Sequence, residues 1–147
     1  MLERALALNP NLAMTWLFIG WANVWNGEPD TALAQLAQAM RLSPHDPQLA
    51  MMQAATACAH FFAGHGAEAV LWARTAVRTQ PDHRIGTCIL AASQASVGDA
   101  GAADAMANLR RIDPALRISG LRESFPIRRP EHLAILVAGL RRAGLPE

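Results

Sequence analysis

The side chains best able to do chemistry in this chain are few. Cys58, His60 and His65, spaced C-x-H-x4-H, form its one cluster of metal-ligating types. Positions 58 and 60 of one helix point to different faces, and the spacing fits no zinc pattern. No metal or cofactor is therefore expected. His60 stands where a packing aromatic belongs and His65 in a turn, while His45, His83 and His132 fall at helix starts or linkers, where exposed polar side chains are expected. No Ser or Cys has a base at readable spacing, the acids are scattered, and Gly64-His65-Gly66 is too short to cradle a phosphate. An enzyme active site is not expected in these residues. The Arg pairs at 110–111, 128–129 and 141–142 are suited to a phosphate or an acidic partner, but two of them sit near helix C-termini, where cations oppose the helix dipole. Nucleic-acid binding would also need stacking aromatics, and the basic tail offers only Phe125.

The whole composition points the same way. The 147 residues are 52% hydrophobic and 17% charged, with a net charge of +1. That balance argues against wholesale nucleic-acid binding. Every basic side chain is Arg, and eight of the 13 lie between 110 and 142. Abundant Ala with few β-branched residues favours helix. Cys58 and Cys88 lie inside helical patterns, so free thiols are expected rather than a disulfide. No apolar run approaches the ~20 residues needed to cross a bilayer, and the first residues lack the basic-then-apolar order of a signal peptide. A cytoplasmic protein without membrane attachment is the expectation.

With chemistry so sparse, the informative pattern is structural. From Ala13 to Asp46 the chain reads as two helices. Small residues (Gly20, Ala32, Ala39) fall where two backbones would cross, and Trp16, Ile19 and Leu36 would fill the gaps. Asn26-Gly27-Glu28-Pro29-Asp30 holds a glycine to end one helix, then a proline and an acid to begin the next. That is a helix hairpin by its own chemistry.

Trp16, Ile19, Gly20, Asn23, Ala32, Leu36, Ala39 and Pro44, over 34 residues, resemble the tetratricopeptide repeat pattern W-x2-L-G-x2-Y…A-x3-F…A…P, with Asn23 in place of the aromatic. The resemblance implies an all-α fold: a solenoid of antiparallel helix pairs. In its register a half repeat occupies 1–12, repeats span 13–46, 47–82 and 83–114, a connector follows at 115–129, and a closing helix at 130–143 caps the array. Gln53 and His60 replace the aromatic signature in the second repeat. Asp46 and Asp99 are candidate helix N-caps. A half repeat cannot bury its own face, so the chain is expected to be a piece of a longer protein. The end, FPIRRPEHLAILVAGLRRAGLPE, resembles the C-terminus of bacterial multidomain proteins that place such repeats after an adenylate/guanylate cyclase domain. That resemblance implies a regulatory or oligomerising role, with any cyclase chemistry upstream.

In tetratricopeptide arrays ligands touch set positions on the first helix of each pair. By register these are Met14, Leu17, Trp21, Val24 and Trp25, then Met51, Ala54, Cys58, Phe61 and Phe62, then Ile85, Cys88, Ala92, Ala95 and Ser96. The set is apolar and rich in Met and aromatics, which suits an apolar helix laid in a groove. It holds no Lys, Arg or Asn, unlike the family's carboxylate clamp for acidic tails. The expectation is a non-catalytic module binding a protein or peptide in a concave apolar groove. Two alternatives stand beside it: homodimerisation through that face, bringing upstream catalytic domains together, and a simple core in which the tail helix covers Trp21, Trp25, Phe61 and Phe62.

Overall fold

The computed structural model describes residues 12–147. The half repeat expected around Leu2–Leu8 lies outside them. Among the described residues the chain is all-helical, without strands. Its order is α1 (Leu12–Asn26), α2 (Pro29–Leu42), α3 (Leu49–Phe62), α4 (Gly66–Thr79), α5 (Arg84–Val97), α6 (Ala102–Ile112), a 3-10 turn at Ile118–Gly120, the one-turn α7 (Leu121–Ser124) and α8 (Pro130–Ala143).

Small residues explain how consecutive helices come together. A Cβ on Gly20 would lie 2.6 Å from a Leu36 methyl carbon, so only glycine lets α1 approach α2 this closely. Ala32 and Ala39 on α2, and Ala69, Ala73 and Ala76 on α4, are fully buried. Every helix from α1 to α6 packs on the next, and α3 also packs on both α1 and α5. The first helices of the three pairs thus share one layer. Polar side chains tie the pairs where the aromatic signature is missing. Asn23 donates to Gln35 Oε1 at 2.8 Å across α1 and α2, and the Thr79 hydroxyl donates to buried Gln53 at 2.8 Å across α3 and α4.

The two candidate N-caps sit slightly upstream of that role. Asp46 accepts from the Gln48 N–H and Asp99 from the Gly101 N–H, each two residues on, while the N-cap positions themselves belong to Gln48 and Gly101. Both aspartates fold the approach to the helix through an Asx turn instead.

The closing helix is where tertiary packing says most. Read from the sequence, it covers the end of the array. In the structure α8 packs chiefly on α5, with a minor contact to α6, and so lies on the layer of first helices. Gly139 permits this, because a Cβ there would stand 2.9 Å from the Ala92 carbonyl oxygen and 3.1 Å from its Cβ. Leu136 and Leu140 are buried beside it. Two backbone hydrogen bonds, from the N–H groups of Ile118 and Ser119 to the carbonyls of Pro146 and Glu147, fasten the end of the chain to the connector.

Candidate interaction face

The layer of α1, α3 and α5 carries all the residues singled out as a groove, and the structure divides them. Leu17, Val24, Ala54, Cys58, Phe61, Phe62 and Cys88 are buried. Met14, Trp21, Trp25, Met51 and Ile85 are half-buried and pack against the core. Of the third set, Ala92 and Ala95 are buried and Ser96 is exposed. Burial drives the Cys58 thiol well above its ordinary pKa and pushes Cys88 up to about 12, so both are packing groups and not nucleophiles.

One half of the layer is covered by the chain's own tail. The Arg128 N–H donates to the Trp25 carbonyl at 2.9 Å. Phe125 lies 6.1 Å from the Trp25 ring, and the Arg84 guanidinium sits 5.2 Å over it while bonding Asp113 at 2.7 Å. The same guanidinium thus holds both the C-cap of α6 and the connector's one aromatic. Gly27 turns with φ +83°, and Arg129 fills the space a side chain there would need. Further along, His132 stacks on Phe62, with ring centroids 4.9 Å apart and planes within 4°.

His83 and His132 correct the expectation of exposed histidines at helix starts: both are buried. His83 Nδ1 caps α5 by accepting from the Gly86 N–H at 3.0 Å. His132 Nδ1 is buried with no hydrogen-bond partner. Burial first, then Arg129, holds its pKa below the usual value. A charged ring there would have to be desolvated against Phe62.

Among the described residues, the other half of the layer is open. Met14, Leu17, Phe18, Trp21, Gln48 and Met51 line a cleft of about 240 Å³ between α1 and α3. Phe18 is 65% exposed at its edge, and Trp21 stacks on Trp25 at 4.9 Å. Register misses two of the lining residues, Gln48 and Phe18, the latter one place past a groove position. Its signal in the sequence was only that an aromatic lies three residues before Trp21. Among the described residues no charged side chain lines this cleft, which offers apolar contact with one amide at the rim.

The metal-type cluster separates in space. Cys58 faces the core, whereas His60 and His65 come together at the turn between α3 and α4, with Nδ1 atoms 3.2 Å apart. Among the described residues no group of three or more His, Cys, Asp or Glu side chains is assembled for a metal, and no helix is long and apolar enough to cross a membrane. No family model, curated protein or solved structure matches this chain.

Proposed function

We propose that the chain is a non-catalytic protein-interaction module, a tetratricopeptide-type solenoid whose first-helix layer receives an amphipathic helix of a partner protein. The observation that carries this reading is the wetness of the most apolar helix. Helix α1 holds three Trp with Phe, Ile, Leu and Met, yet leaves Phe18 exposed beside the open cleft. Exposed apolar surface of this kind marks docking sites. The chain's own α8 on α5 supports the same reading, because it is an amphipathic helix seated on the same layer. The resemblance of the closing stretch adds a setting: the regulatory C-terminal part of a bacterial signalling protein, with catalysis in an upstream domain of that longer protein.

The test is selection of helices from a displayed library of amphipathic peptides, with Phe18→Glu and Trp21→Glu variants as controls whose helicity is checked by circular dichroism. Helices that bind the parent chain and lose binding to folded variants support the reading. Failure to enrich any helix over the Phe18→Glu chain overturns it. Dimerisation through the same face is the competing reading, favoured by a cleft whose described lining carries no charge and so does not repel its own copy. A light-scattering mass that doubles with concentration in the parent and stays monomeric in Phe18→Glu would establish that instead.

A further inference from the structure

We propose that His60 and His65 together chelate a divalent transition-metal ion of the zinc(II) or copper(II) class, each through Nδ1, at the turn joining α3 to α4. The two nitrogens stand 3.2 Å apart with the rings inclined at 48°. Two imidazoles bound to one tetrahedral ion at about 2.0–2.1 Å hold their nitrogens roughly 3.3 Å apart. The pair therefore already has a chelating separation. In the absence of metal the same geometry is a hydrogen bond from one ring to the other, which an ion would replace once the donor ring takes the tautomer with its proton on Nε2, with no net proton released from the neutral pair.

The backbone brings the two residues together. Helix α3 ends as Gly64 turns with φ +84°, and the His65 N–H donates to the His60 carbonyl at 2.8 Å. Chelation thus orders little that is not ordered already. Glu68, in the first turn of α4, is an exposed carboxylate whose field already reaches His60. Water completes the coordination. A site with two protein ligands and open positions captures an ion without the closed geometry of a structural zinc site. Because His60 lies in α3 and His65 at the N-cap of α4, bound metal would pin the α3–α4 hairpin and stabilise the folded chain.

Zinc(II) alone, titrated into the untagged chain, tests this by calorimetry, thermal melting and NMR of the imidazole resonances. The expected result is one equivalent of zinc that shifts the His60 and His65 rings together, raises Tm, and binds about tenfold or more weakly to His65→Ala, as loss of a chelate partner requires. His65 is exposed, so its removal leaves the fold in place. Equal affinity in His65→Ala, shifts at His45 instead, or no binding at about millimolar zinc would each overturn the proposal.

Discussion

Helices α1 and α5 belong to the same layer and meet solvent in opposite ways. Helix α1 is the more apolar, yet only Ala13, Leu17, Gly20 and Val24 are buried along its 15 residues. Helix α5 carries Thr87, Ser93 and Gln94, and everything from Gly86 to Ala95 is buried. The hydroxyls tolerate this by donating to carbonyls one turn back, Thr87 to His83 at 2.8 Å and Ser93 to Ile89 at 2.6 Å. The less apolar helix is the drier one. Helix α5 is enclosed by α3, α4, α6 and α8, whereas among the described residues α1 packs on α2 and α3, and the tail reaches only its end, short of the cleft at Met14, Phe18 and Met51.

The contrast can be broken most directly at the covered end. Leu136→Ala removes a side chain only 1% exposed in the seam between α8 and α5, and should cost about 2–5 kcal/mol in urea unfolding. A smaller loss would mean that α8 contributes little to the stability of the layer it covers. Gly139→Val should cost about 1–3 kcal/mol, since its side chain meets Ala92 and the Ser96 hydroxyl and forces α8 outward. If the tail is what keeps α5 dry, hydrogen exchange along Gly86–Ala95 should also rise in this variant.

Acid should sharpen the comparison. The pKa of His132 is lowered from its ordinary 6.5, so the folded chain binds fewer protons there than the unfolded chain. The stabilisation from its neutral ring is complete above the ordinary value and is lost as pH falls below it towards the folded pKa. His60 and His83, also lowered, act in the same direction. Urea midpoints should therefore drop between pH 7.5 and 5, and His132→Phe should drop less. An identical decline in both chains would show that His132 does not set the tail's acid sensitivity. Last and smallest, Phe18→Ala at the open end should alter stability by no more than about 0.5 kcal/mol. A larger loss would mark Phe18 as a packing residue and weaken the case for a docking face.

Much of this architecture was legible in the chain. Gly20 and Ala32 gave the close crossing of α1 and α2, and Gly27 with Pro29 placed the turn between them, because backbone approach and helix ends depend on local residue types. Pro130 and Gly144 bounded the closing helix for the same reason. The candidate face was legible only as a row of positions at helical spacing. Spacing puts Trp21, Trp25, Phe62 and Cys88 on one side of their helices, and carries no information about what lies opposite.

The sequence by itself determined the helices, their ends and their apolar sides, since those follow from backbone propensity and periodicity over a few turns. Only the tertiary structure decided that α8 lies on α5, that His132 and His83 are buried, that Phe125 reaches Trp25 and Arg84, and that His60 meets His65 while Cys58 turns inward. Each of these joins residues through three-dimensional packing, where Gly139 and the path of the connector choose among surfaces that look alike in the sequence.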